Sequence, residues 1–195
     1  QQAFYNHGGL TNITIPTTVT SISTQAFATA TKSINKIIYN GTKEPSTCAT
    51  NAFTSSQGTS IVDVLITYES EIFCGLTPQT IASCGTSETE CKYTYNHHTF
   101  TMQIEGTGRM QEYKSLKEVP WNKKNSKIST LTIGTTLQSI GNYAFKDAIT
   151  YPSLSIPTSI KSIGTDSFYN NDKITTLTLH KDISTIGTNA FSYNE

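Results

Sequence analysis

The chain has 195 residues, 14 basic and 14 acidic side chains, 14% charged residues and 35% hydrophobic residues. A neutral chain whose longest Lys/Arg run is Lys123-Lys124 lacks the basic footprint that phosphate-backbone binding needs, which argues against nucleic acid as a partner. Its longest apolar stretch, Ile61 to Ile66, is broken by Asp63 and falls far short of the ~20 residues that cross a bilayer, so no membrane insertion and no signal peptide are expected in this window.

The Thr- and Ser-rich composition would suit a disordered chain, but the large apolar residues recur too regularly for that. Leu10, Ile13, Ile15, Val19, Ile22 and Ala26-Phe27 open the series, and Ile34, Ile37 and Ile38 begin a second, altered unit. Ile61 to Tyr68 reads as one further strand. The pattern returns in full as Ile128, Leu131, Ile133, Leu137, Ile140 and Ala144-Phe145. It recurs as Tyr151, Leu154, Ile156, Ile160, Ile163 and Ser167-Phe168, and then as Ile174, Leu177, Leu179, Ile183, Ile186 and Ala190-Phe191. The phenylalanines of these units, at 4, 27, 53, 145, 168 and 191, keep a spacing of about 23 residues except across the gap from 53 to 145. Within each unit Leu-x-Ile alternates as a short strand does, and Pro or Gly ends it. One such unit cannot bury its own apolar side, so the units must stack. The fold predicted is a repeat solenoid, leucine-rich-repeat-like, of about 23-residue coils with a parallel β-sheet on one face.

Leu154 to Phe168, Leu-x-Ile-Pro-x-Ser-Ile-x-Ser-Ile-Gly followed by Phe, resembles the BspA-like leucine-rich repeat family of bacterial and protist surface proteins. The resemblance covers residues 1 to about 68 and about 126 to 195. Tyr39-Asn40-Gly41-Thr42-Lys43-Glu44-Pro45 is similar to a family variant in which a Tyr-x-Gly-Thr-x-x-Pro turn replaces Ile-Pro. Between the two stacks, Cys84-Gly85, Tyr93 to Tyr95, Phe100 to Ile104, Gly106-Thr107-Gly108, Met110 and Pro120-Trp121 resemble a module that interrupts other members. The domains expected are therefore an N-terminal repeat stack (1–68), a small antiparallel β insertion (69–125) and a C-terminal repeat stack (126–195). Alternation of Tyr93 and Tyr95, then Phe100, Met102 and Ile104, around Asn96-His97-His98 predicts a hairpin, with Trp121 packed on the insertion.

Gly106-Thr107-Gly108 lacks the third glycine, the following helix and the Lys-Ser/Thr pair of a nucleotide loop, so it reads as a turn or bulge, and no cofactor is expected. Four cysteines allow three pairings. A bridge between Cys84 and Cys91 would stabilise by about 2.5 kcal/mol in the chain-entropy description, and would leave Cys48 and Cys74 to tie the end of the first stack. No zinc spacing is present, and disulfides imply an oxidising compartment. Asn12-Ile13-Thr14 and Asn40-Gly41-Thr42 are glycosylation sequons, with Asn12 outward on a strand and Asn40 in a turn.

His97-His98 reads as a polar hairpin tip, His180 as a turn residue, and the scattered carboxylates Glu88, Glu90, Glu112, Glu118, Asp166 and Asp172 do not converge. Catalysis is not expected. Outward strand positions form a column of short polar side chains: Asn12 and Thr14, Thr130 and Thr132, Ser153 and Ser155, Thr176 and Thr178. Such a column is a soluble strand face or an uncharged docking face for a protein or glycan partner. Both ends of the sequence fall inside repeats, which predicts either a longer parent chain or end-to-end stacking of molecules. The resemblance implies an extracellular or cell-surface module that adheres to host or matrix proteins or neighbouring cells. The alternative is a structural subunit that self-associates into a surface fibre or coat.

Overall fold

A strand of three or four residues begins a coil because its alternate side chains are apolar, and Pro16 after Asn12–Ile15 and Gly134 after Thr130–Ile133 end it. In the computed structural model residues 3–4, 10–28, 34, 36–53, 61–64, 68–122 and 127–194 are described. They form two compact units, Gln1–Thr80 with Asn96–His98, and Ile81–Tyr95 with Thr99–Glu195. The span 69–125 is thus shared between the units. His7, residues 65–67 of the strand expected at 61–68, the Lys123-Lys124 pair and the boundary at 125–126 include residues outside the described ones. Among the described residues there is no α-helix, and a 3-10 turn over Leu116–Glu118 stands between the strands.

The first unit contains β1 (Asn12–Ile15), β2 (Ser21–Ile22), β3 (Lys36–Tyr39), β4 (Thr47–Cys48), β5 (Ile61–Val64) and the start of β6 (Thr77–Ser83). Strands β1, β3, β5 and β6 lie side by side and parallel, with Asn12 opposite Lys36, and Ile38 opposite Asp63, which in turn faces Gln79. Beneath them Ile15, Ile22, Phe27, Ile37, Tyr39, Phe53, Val62, Val64, Tyr68 and Phe73 form the core. Phe4, Phe27 and Phe53 stack ring on ring at 5.0 and 4.8 Å, nearly parallel. The Tyr39 hydroxyl donates to the Lys43 carbonyl, four residues on, and the Tyr68 hydroxyl donates to the Ile72 carbonyl in the same way. The turn recognised at Tyr39 is therefore built twice. The second copy lies in residues whose sequence, Glu69-Ser70-Glu71-Ile72, hides the likeness.

The second unit contains β7 (Lys92–Asn96, less its last residue), β8 (Thr101–Glu105), β9 (Thr130–Ile133), β10 (Ser139–Ile140), β11 (Ser153–Ser155), β12 (Ser162–Ile163), β13 (Thr176–Thr178) and β14 (Thr185–Ile186). A turn over residues 97–100 joins β7 to its neighbour β8, giving the hairpin expected, and β8 then pairs in parallel with β9. Strands β11 and β13 pair in parallel, and β10, β12 and β14 make the returning wall. Between these walls runs a second aromatic ladder: Trp121, Phe145, Phe168 and Phe191, with centroids 5.7, 5.1 and 5.3 Å apart. Trp121 packs edge-on to Tyr93 of the hairpin as expected, and its indole N–H donates to the Ala144 carbonyl at 2.6 Å. It stands as the first ring of the repeat ladder.

Coil is joined to coil by backbone as well as by rings. The amides of Tyr143, Phe145 and Asp147 donate to the carbonyls of Thr165, Ser167 and Tyr169, and those of Asp166, Phe168 and Asn170 donate to Thr188, Ala190 and Ser192. Left-handed backbone recurs at the same two places of each coil, at Tyr143 and Asp147, Asp166 and Asn170, and Asn189 and Tyr193, where φ lies between 52° and 60°, and at the first four of these the amide turns toward the next coil. Asn and Asp tolerate that region best among residues with a side chain, which accounts for four of the six. Asn171, 1% exposed, accepts from the amides of Ala148 and Ile149 and donates to the Phe145 carbonyl, so one buried amide closes three backbone valences. The glycine of Ser-Ile-Gly is needed for proximity: a Cβ on Gly164 would lie 2.5 Å from the Asn142 backbone nitrogen in the coil before it.

Phe168, fully buried between two rings, carries the sharpest test of this packing. Phe168→Ala is expected to cost about 3–5 kcal/mol in urea denaturation, and Phe168→Leu clearly less. Equal costs, or a loss below about 1 kcal/mol, would show that the ladder contributes little.

Candidate interaction face

Strand alternation places the predicted polar residues where they were expected, since Asn12, Thr14, Thr130, Thr132, Ser153, Ser155, Thr176 and Thr178 are all exposed. They divide between the two units. Asn12 and Thr14 belong to the first unit, and there the outward face is charged: Lys36 pairs with Asp63 at 3.3 Å, and the Gln79 side chain donates to Asp63 at 2.8 Å. The sequence reading missed these three residues because the units carrying them depart from the repeat formula.

The other six lie in the second unit on two strand pairs, Thr130 and Thr132 on β9 beside β8, and the other four on β11 and β13. Ser153 stands opposite Thr176, and Ser155 opposite Thr178. Thr130 and Thr132 stand opposite Thr101 and Gln103 of β8, which extends the polar face onto the hairpin. Lys92 and Glu105 close its far side as an exposed ion pair at 3.4 Å, worth little in energy but neutral in sum. The outward side of each strand pair, β8–β9 and β11–β13, therefore offers hydroxyls at strand spacing, with one amide on β8 and little net field. It can donate and accept hydrogen bonds to an uncharged surface, and it holds no constellation for proton transfer.

The remaining candidates resolve into structural roles. The Thr107 and Gly108 amides of the glycine loop donate to the Thr89 and Glu90 carbonyls, so they are not available to cradle a phosphate. Glu112 accepts from the Asn142 amide, Glu118 from the Lys114 amide, and Asp166 pairs with Lys146 at 3.0 Å. Lys146 also lies 4.0 Å above the Tyr169 ring. His180 sits at a turn, where its Nδ1 accepts from the Asp182 amide.

The cysteines stand at disulfide distance as Cys48–Cys74 and Cys84–Cys91, with Cα separations of 5.0 and 4.9 Å. Glu44, Cys48 and Cys74 are the one acid–thiol cluster of metal-binding dimensions among the described residues. Both sulfurs are committed to the bridge, and a Glu44 carboxylate oxygen accepts the Cys74 amide. The cluster is a turn clasp rather than a metal site.

His97 differs from expectation. It lies in a turn, but it is buried, with Nε2 2.8 Å from the Thr80 hydroxyl and its ring edge-on to Tyr68. The tip folds back because its amide donates to the Pro78 carbonyl, which a local reading of Asn-His-His could not show.

Two findings come from comparison with known proteins. The BspA type leucine rich repeat region matches in six copies over residues 1–98 and 123–195, and the chain belongs to that family. Residues 99–122, which include β8, fall outside the match. No curated protein matches the chain. Among solved structures it is similar to a leucine-rich repeat protein from Eubacterium ventriosum, with 21% identity and a TM-score of 0.48. The alignment covers 56% of this chain and 28% of that protein.

Burial pulls the His97 imidazole down to about 4, while the unfolded chain keeps the ordinary value of about 6.5. Between those values the unfolded chain binds the extra proton, so stability falls as pH drops through that window, by up to about 1.4 kcal/mol per pH unit. His97→Gln should flatten the slope in denaturant titrations run from pH 7 to 4. An unchanged slope would place the pH dependence elsewhere.

Proposed function

We propose that the chain is a non-catalytic interaction module of the extracellular space or cell surface, and that its partner docks on the polar face of the second unit. The observation that carries this reading is the in-register arrangement of exposed hydroxyls, Ser153 with Thr176 and Ser155 with Thr178, with Thr130 and Thr132 exposed on β9 of the same unit. Repeat modules of this family present protein-binding surfaces, and a rigid sheet displays short side chains at low entropic cost. Two cysteine bridges favour an oxidising location. A face with few charges suits a neutral protein patch or glycan on a host, matrix or neighbouring cell. Such binding would be comparatively insensitive to salt.

The second reading is a structural subunit that associates end to end into a fibre or coat, since stacked coils of one repeat pattern can pack on coils of another copy. Concentration-dependent sedimentation separates the two, because a docking module stays monomeric while saturating its ligand.

Screening the immobilised chain against matrix proteins and glycans is the direct test. Ser155→Arg with Thr178→Arg should weaken a saturable hit at least tenfold, leaving thermal stability nearly unchanged. Thr188→Arg, outside the face, should leave binding intact. Equal effects from both variants would defeat the assignment.

A further inference from the structure

The chain contains two Asn-x-Thr triplets, Asn12-Ile13-Thr14 and Asn40-Gly41-Thr42, and both lie in the first unit. In β1 the extended backbone puts the Asn12 and Thr14 side chains on the same exposed face. Asn40 follows the last residue of β3 and is exposed, as is Thr42, in the turn held by the Tyr39 hydroxyl. The two asparagines differ from the others in their bonding. Asn122, Asn142, Asn170, Asn171 and Asn194 commit their side chains to hydrogen bonds, whereas neither the Asn12 nor the Asn40 side chain has a partner among the described residues. A free, exposed amide with a threonine hydroxyl two residues on is the acceptor arrangement for N-linked oligosaccharide transfer.

The structure assigns Asn12 and Asn40 as N-glycan acceptors, with the Asn12 glycan covering the outward sheet face of the first unit and leaving the polar face of the second unit free of attached sugar. In the transfer the amide nitrogen bonds to the anomeric carbon of a lipid-diphosphate-linked oligosaccharide. The bond from that carbon to the diphosphate oxygen breaks, the lipid diphosphate departs, and the amide proton passes to the transferase's base. Asn12 lies directly opposite Lys36, beside the Lys36–Asp63 pair, so a bulky glycan there screens the charged patch from any large partner. No Asn-x-Ser/Thr triplet follows Thr42 in the sequence, so β8, β9, β11 and β13 carry no acceptor. This inference rests on the extracellular reading above, and it narrows partner contact to the second unit.

The test is peptide mapping after enzymatic deglycosylation, which converts an occupied Asn to Asp. It is applied to the full chain secreted from a eukaryotic host and to protein recovered from the cells that make it. Conversion at both Asn12 and Asn40 is expected in both samples, with selective loss in Asn12→Gln, Asn40→Gln and Thr14→Val. All three positions are exposed, and thermal midpoints close to that of the parent chain confirm folding. Absence of conversion in the natural protein overturns the assignment, and conversion at Asn40 alone overturns the covering of the first unit's face. Occupied sites in a chain that binds nothing on the screen would instead leave the glycan assignment standing and remove the docking function.

Discussion

Stacking of one coil on the next at a fixed separation is the constraint on which the rest of this structure depends. Aromatic rings hold that separation at close to 5 Å, alternate backbone amides fix it by hydrogen bonds, and Gly164 permits it by removing a Cβ. Each contribution is modest, roughly 1.5–3 kcal/mol for a buried apolar side chain and about 1 kcal/mol for a net hydrogen bond. Because they act at the same places in successive coils, none can shift alone. The outward face inherits this register: Ser153 meets Thr176 because Phe168 meets Phe191 one wall away.

Much of the fold was legible because it repeats. Leu-x-Ile marked the strands, Ala-Phe marked the ladder, and Trp121 announced itself as the single tryptophan of a non-repeating stretch. Its place in the ladder was not legible, since nothing local says that an indole will stand one rung before Phe145. The left-handed positions escaped for a related reason. Asp147, Asp166 and Asn170 are ordinary polar residues in sequence, and their amides are held by carbonyls 22 residues away in the next coil. Asn171 likewise looks like a turn residue until its three buried bonds are traced.

The candidate face divides in the same way. Exposure of Thr130, Thr132, Ser153, Ser155, Thr176 and Thr178 followed directly from alternation, which is a local rule. Lys36, Asp63 and Gln79 could not be placed beside Thr14 without knowing the register of β3, β5 and β6, in coils of unequal length. The burial of His97 depended on a turn folding back to the Pro78 carbonyl. Local pattern thus named the hydroxyls, and only tertiary pairing separated a charged face in one unit from a neutral face in the other.

The position of Trp121 bears on how such chains change over evolutionary time. A solenoid that needs an aromatic ring at each level imposes no condition on what the intervening chain does, so long as a ring is returned to the stack. The hairpin, the Cys84–Cys91 loop and the 3-10 turn all lie between Phe53 and Phe145, yet the ladder of the second unit starts on a ring supplied by that irregular segment. Non-repeating sequence can therefore be spliced into the array, lengthened or remodelled without resetting the period of the coils that follow.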